Sequence, residues 1–214
     1  MSSFLKKTLP VLAGLLVGIL LAYLLFAAGV FPTIGSPSPH GISDELANSP
    51  LLSALRVAVC IKEDDFAGLG EWIHPEKGVY FTPLSTVDLS TDRSFSAAEV
   101  SAFATDGQLY LWGVANGEGA PIQMTPLDYI RRYVGDRDYS LAPIISVGLV
   151  NKTGTRMENV STVFPEPDYV FVEFHIPLLD PKWEGMDWSS LKVVFEEYQG
   201  SLKVVALIHS EWTM

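Results

Sequence analysis

From Leu9 to Phe31 no charged side chain interrupts a run dominated by Leu, Ala, Val and Gly, with Tyr23 as its most polar member. As a helix rising about 1.5 Å per residue, such a run spans the roughly 30 Å hydrocarbon core of a bilayer. Lys6 and Lys7 precede it and no Lys or Arg follows until Arg56, so the positive-inside rule leaves the N-terminus in the cytoplasm and the remainder outside. The expected division is a cytoplasmic tail over 1–8, a transmembrane anchor over 9–31, a Pro/Ser-rich linker over 32–50 and an extracytoplasmic domain over 51–214. Ala27, Ala28 and Gly29 supply small residues for a peptidase, so a cleaved signal peptide is the rival reading, although its apolar region is normally only about 7–15 residues long. Both versions export the domain. The expected location is the cell membrane, crossed once, with the bilayer as a partner. The linker segment Gly35-Ser36-Pro37-Ser38-Pro39-His40-Gly41 favours extended backbone and reads as a semi-rigid tether.

Beyond the linker the apolar spacing first becomes helical. Ser49-Pro50 followed by Leu51, Leu52, Leu55, Ala58 and Val59 predicts a capped helix with proline at its first position. Asp64-Asp65 caps a second, with Phe66, Leu69, Trp72 and Ile73 on one face, which ends before Pro75. Gly78 to Pro83 is a short strand, Ser96-Ala97-Ala98-Glu99 opens a helix to about Ala104, and Leu109 to Val114 is a strand closed by the turn Asn116-Gly117-Glu118-Gly119. Thr125-Pro126-Leu127-Asp128 caps a further helix burying Tyr129, Ile130, Tyr133 and Val134. After residue 140 the pattern predicts strands only: Ile144–Val150, Val160–Phe164, Tyr169–Ile176, Ser190–Tyr198 and Leu202–Trp212, with Tyr198-Gln199-Gly200-Ser201 a tight hairpin turn. Helical pieces followed by an antiparallel meander make the fold class α+β, with helices packed on one face of a curved sheet.

All 25 acidic residues lie beyond residue 30, against 12 of the 14 basic ones, which leaves that part at −13. Such a surface repels phosphate backbones, so nucleic acid is not an expected partner. Cys60 is the only cysteine, which excludes an intramolecular disulfide and, since no cysteine stands at the end of the apolar run, a lipid-accepting thiol there. Set among Val57, Ala58, Val59 and Ile61, it reads as a small buried hydrophobe.

The segment Asp65-Phe66-Ala67-Gly68-Leu69-Gly70-Glu71-Trp72-Ile73-His74-Pro75-Glu76-Lys77-Gly78-Val79-Tyr80-Phe81 resembles the opening of the nuclear-transport-factor-2-like (NTF2-like, cystatin-like α+β) superfamily, in which a helix ends at a corner leading into the first strand of a cone-shaped domain. Residues 51–214 also resemble a group of bacterial and archaeal secreted or lipid-anchored proteins, through His74 to Val79, Trp112-Gly113, Gly185-Met186-Asp187-Trp188 with Leu191, Val194-Phe195-Glu196 and Ile208 to Thr213. The resemblance implies the fold, and homodimerisation through an open sheet edge, but no chemistry, since such cones host isomerases, hydrolases, dehydratases and plain binding domains.

Strand alternation sorts the candidate residues. Val170, Val172, Phe174 and Ile176 share one face, leaving Glu173 and His175 on the other; Leu202, Val204, Ala206 and Ile208 share one face of the last strand, leaving His209 and Glu211 opposite. If these mixed faces form the concave side, Glu173, His175, His209 and Glu211 converge beneath the helices near His74, and a His with a carboxylate in a desolvated pocket suits general acid–base work. The bland alternative is cross-strand His–Glu pairing on a solvated face. A metal site is not expected, for there is no HExxH and no ligand-spaced pair of histidines on a helix. Gly113 to Gly119 lacks a following Lys-Ser/Thr, Asp136-Arg137-Asp138 lacks the glycine and distal glutamate of a calcium loop, and no serine sits in a Gly-x-Ser-x-Gly elbow. No cofactor is expected. Trp183 and Trp188 flank the acidic loop Glu184-Gly185-Met186-Asp187 and, with His74, are the candidate contacts for a small ligand or protein partner. These features favour a ligand-binding or protein-interaction module, with a hydrolase- or isomerase-like enzyme using a His/Glu pocket as the alternative.

Overall fold

The structure is a computed structural model that describes residues 48–115, 119–151 and 157–212. The predicted tail, anchor and nearly all of the linker lie outside the described residues, among which no helix is long and apolar enough to cross a membrane.

Helix α1, Pro50–Lys62, carries proline at its start as expected, but Ser49 caps it through its backbone carbonyl to Ser53 N rather than through its hydroxyl. Its buried face is Ala54, Val57, Ala58 and Ile61, so of the residues expected to face inward only Ala58 is buried, and Leu51 and Val59 are exposed. Asp64 adopts a positive φ of 53° that ends the helix, and Asp65 then caps α2, Phe66–Trp72, by accepting from Gly68 N at 2.9 Å. Strands β1 (Val79–Thr82) and β2 (Arg93–Phe95) follow. Helix α3, Ala97–Ser101, opens on the predicted capping box between Ser96 and Glu99. A separate two-stranded sheet pairs β3 (Tyr110–Val114) with β4 (Pro121–Met124). Helix α4, Pro126–Tyr129, is capped by Thr125 and runs into a π-helical turn over Ile130–Val134, and all four residues predicted for its inner face are buried. Then come β5 (Ile144–Val147), α5 (Val160–Val163), β6 (Tyr169–Ile176), β7 (Ser189–Tyr198) and β8 (Ser201–Glu211).

The main sheet has the order β2-β1-β8-β7-β6-β5. Its second half is the expected antiparallel meander, and the β7–β8 hairpin turns on Gln199 and Gly200, both at positive φ (52° and 77°) as a two-residue turn of this hand requires. The sheet is not wholly antiparallel: β1 returns to run parallel to β8, with Tyr80 opposite Ala206 and Thr82 opposite Ile208.

Two further expectations are corrected. Val160–Phe164 is not a strand. The β-branched run there forms α5, held over the sheet because Asn159 uses its amide to bond both the N–H and the carbonyl of Val87, at 2.8 and 2.9 Å. The phase of β8 also changes midway. Val194 pairs with Ala206 and Phe195 with Val204, which leaves Val205 as a bulge. Leu202, Val204, Leu207, His209 and Glu211 consequently share the helix side, whereas Val205, Ala206 and Ile208 face away.

Both sides of the central strands are buried. On the helix side an aromatic cluster fills the space between helices and sheet: Phe81 meets Phe95, Phe103, Trp112 and Tyr129 at centroid distances of 5.7–5.9 Å, and Trp112 stacks on Tyr129 at 3.7 Å. Trp112 Nε1 donates to Met124 O at 3.0 Å, so even its polar atom is used. The far side packs Val87, Val160 and Phe164 onto Phe171, Val194, Val205, Ala206 and Ile208. Because that side is also dry, its polar residues must pair internally. Lys192, fully buried, reaches Ser210 Oγ at 3.0 Å, Glu173 Oε1 at 3.3 Å and Glu158 Oε2 at 3.0 Å, the last a Coulombic contact outside hydrogen-bond angles.

Removing one member of a buried charge cluster leaves the others uncompensated. The variant Lys192→Ala is expected to lose about 3–5 kcal/mol of stability in urea unfolding. A loss below about 1 kcal/mol would mean that solvent already reaches Glu173 and Glu158.

Candidate functional site

The bulge in β8 separates the four residues expected to converge. His209 lies opposite Leu191, itself opposite Phe174, on the helix side; Glu173 lies opposite Lys192 and His175 opposite Ser190, on the far side. His209 and Glu211 are brought together, and Glu173 and His175 are brought together, but the sheet stands between the pairs.

The far-side pair is structural in its contacts. Glu173 is buried and accepts from the backbone and the side-chain amide of Asn151 as well as facing Lys192. His175 is buried, bonds Ser190 Oγ through Nδ1 at 2.7 Å and lies 5.9 Å from the ring of Trp188. Desolvation pushes its pKa below the ordinary value, partly offset by the Glu173 charge and reinforced by Lys192.

His74 does not join either group. It lies beside Val204, five residues along β8 from His209 and thus about 16 Å away along the strand. Its Nδ1 accepts from Glu76 N and Lys77 N at 3.2 and 3.1 Å, bracing the turn that reverses the chain into β1, and its ring packs edge-on to Tyr198. Trp183 and Trp188 part company too. Trp188 is buried, whereas Trp183 is half exposed with Lys182 5.2 Å above its ring, in a loop that also exposes Leu178, Leu179 and Met186. Only Trp183 remains available as a contact.

Glu211 of the helix-side pair lines a surface basin of about 390 Å³ together with Arg131, Arg132, Asp136 and Arg137, and His209 lies buried behind it against Asp136. The turn after the π-helical segment supplies Asp136, and the segment itself supplies Arg131 and Arg132. Glu211 is gripped by Arg132 at 2.9 and 3.3 Å, and Arg132 lies over the ring of Tyr133 at 4.6 Å. Asp136 accepts from Tyr139 OH at 2.8 Å and from Ser189 Oγ at 3.2 Å, and these two hydroxyls also contact each other. Burial alone would raise the Asp136 carboxyl, but His209, Tyr139 and Arg137 hold it below the usual carboxylate range.

His209 is the least solvated member of the group, with no exposed surface. Its Nδ1 lies 3.1 Å from the carbonyl of Pro83, which only accepts, so Nδ1 carries a proton and is committed to that carbonyl. Nε2 faces Asp136 Oδ1 at 3.7 Å and has no hydrogen-bond partner among the described residues. Asp136, His209 and Glu211 each place one ligand-type atom within 4.8 Å of the others. Sequence reasoning found His209 and Glu211 but gave them the wrong companions. It met Asp136 only as a failed calcium loop, although an acid following Gly135 directly after an apolar helical face was the signal available.

The sequence matches no family model and no curated protein. Solved structures do show likenesses. An NTF2-like protein from Cytophaga hutchinsonii is 13% identical over 75% of this chain and 93% of its own, with a TM-score of 0.35. Aln2 from a Streptomyces species is 11% identical over 82% and 93%, at 0.34, and a putative calcium/calmodulin dependent protein kinase II association domain from Xanthomonas campestris is 9% identical over 85% and 91%, at 0.33. The structural neighbours thus include an NTF2-like protein. Function rests on the site itself.

For His175 the sign of the pH effect follows from its lowered pKa. Below the ordinary histidine pKa of about 6.5 the unfolded chain takes up a proton that the folded chain refuses, so stability falls as pH drops until the folded value is passed. Urea unfolding at pH 7.5 and 5.5 is expected to show that decline in the parent and a smaller one in His175→Gln. An unchanged slope in the variant would assign the effect elsewhere.

Proposed function

We propose that the chain is a membrane-anchored binding module that works outside the cytoplasm, with the basin over His209 as its ligand site. The anchor and tether rest on the uncharged run Leu9–Phe31, the lysines on its leading side alone and the Pro/Ser-rich linker. The ligand site rests on one observation: a fully buried imidazole nitrogen without a partner, facing a carboxylate beneath an accessible charged basin. An unsatisfied buried polar atom costs about 1–3 kcal/mol. A fold that keeps one at the floor of a basin is built to have it satisfied from outside.

Binding is favoured over catalysis because the space between helices and sheet is taken up by Phe81, Trp112 and Tyr129, and because the expected acid–base quartet is split by the sheet. The enzyme reading keeps one foothold, His209 and Glu211 side by side at the basin, where the pair would act as acid and base on a bound substrate.

A reporter that works only outside the cytoplasm, fused to the C-terminus, is expected to be active in cells; activity of an inside-only reporter would reverse the topology. Native mass spectrometry of the full-length chain released from detergent is expected to show a retained small species that Arg132→Ala loses. A chain that never carries such a species would remove the ligand-site reading.

A further inference from the structure

The geometry points to a divalent transition-metal cation as the occupant of the basin's floor, held by Asp136, His209 and Glu211. This deepens the binding-module reading and rests on it. It also departs from the sequence-based expectation of no metal, which considered ligands on one helix and not ligands gathered from a strand and a turn.

The argument begins with His209. Its Nδ1–H is committed to Pro83 O, which leaves Nε2 as the ring's uncommitted ligand atom, facing Asp136 Oδ1 at 3.7 Å. A buried ring nitrogen and a carboxylate oxygen that face each other without a hydrogen bond, where Nε2 is shut off from solvent, leave a position between them for a positive centre, a proton or a metal. A shared proton draws such atoms to about 2.7–3.2 Å. A metal bonded to both at about 2.0–2.2 Å in tetrahedral geometry holds them roughly 3.4 Å apart. The observed separation lies on the metal's side.

The supporting shell has the pattern metal ligands require. A ligating imidazole donates its other N–H to a carbonyl or carboxylate, which fixes tautomer and orientation, and Pro83 O does this for His209. Ligating carboxylates are themselves hydrogen-bonded, and Tyr139 and Ser189 do this for Asp136. Glu211 completes the set with an oxygen within 4.8 Å of the other two ligand atoms, its carboxylate held in place by Arg132. Three protein ligands leave a fourth position open toward the basin, where Arg131 and Arg137 would meet an anionic group on the metal. One imidazole with two carboxylates suits zinc, cobalt or nickel; calcium and magnesium prefer an all-oxygen set.

The test uses the full-length chain in detergent, treated with chelator and then titrated with Zn²⁺ and separately with Co²⁺. Calorimetry is expected to show one equivalent bound. The Co²⁺ form is expected to show the intense visible absorption of a four- or five-coordinate site, and Zn²⁺ to raise the melting temperature. Because His209 is fully buried and its replacement risks the fold, the deciding variants are Glu211→Gln and Asp136→Asn, with metal-free melting temperatures measured first. Each is expected to weaken Zn²⁺ binding at least tenfold. No binding, or equal affinity in parent and variants, overturns the proposal, the second result placing the metal elsewhere on the chain. If Zn²⁺ and Co²⁺ do not bind yet the chain retains another small species that Arg132→Ala loses, the metal is refuted and the basin reading stands; if nothing binds or is retained, both fall.

Discussion

Val205 has no partner across the β7–β8 ladder, since Val194 faces Ala206 and Phe195 faces Val204. That one extra residue turns the remainder of β8 over. It sends Ala206 and Ile208 into the far-side core and brings Leu207, His209 and Glu211 beneath the helices. Without it, strict alternation from Val204 would place His209 on the far side, in line with Glu173 and His175. The bulge therefore decides which titratable groups meet, and it gives the sheet two polar clusters of opposite character.

The far-side cluster is closed. Lys192 has three oxygen-bearing neighbours and Glu173 is engaged at both of its carboxylate oxygens, all under the cover of Val87, α5 and Phe164. Burying charge without pairing is costly, and here each charge has an opposite charge within 3.3 Å, although Glu158 Oε2 makes no hydrogen bond. The helix-side cluster is open. Its carboxylates are only partly neutralised, by Arg132 and by a distant Arg137 at 3.9 Å, and its imidazole Nε2 has no hydrogen-bond partner among the described residues. Two clusters on one sheet differ in this way because one is sealed by a second core and the other ends at the surface.

Helix positions were legible in the sequence because their signals are local. Asp65, Ser96 and Thr125 each bond a backbone N–H within three residues, and the apolar faces of α2 and α4 read directly from spacing, whereas of the face expected for α1 only Ala58 is buried. The hairpin at Gln199-Gly200 was legible for the same reason. What failed was non-local. Val160–Val163 has the composition of a strand, and only the bonds from Asn159 to Val87, 72 residues away, make it a helix lying over the sheet. The return of β1 to pair parallel with β8 leaves no mark in either strand. A bulge without glycine, set in the apolar run Val204 to Ile208, is equally silent. Every residue there is buried whichever face it takes, because both faces carry a core. Candidate residue types were thus found correctly while their grouping was not.

The parallel pairing of β1 with β8 carries the last step. Thr82 lies opposite Ile208, so the chain leaves β1 with Pro83 directly beside His209. A proline there has no N–H to offer, and its carbonyl is directed at Nδ1. The sheet's topology, not the local sequence around His209, therefore sets which ring nitrogen the backbone engages and leaves Nε2 facing Asp136. The bulge selects the face, the parallel strand selects the nitrogen, and the turn after the π-helical segment brings Asp136 to meet it. Three elements distant in sequence converge on one unsatisfied atom, an arrangement that costs stability in the unliganded chain and is recovered when a cation fills it.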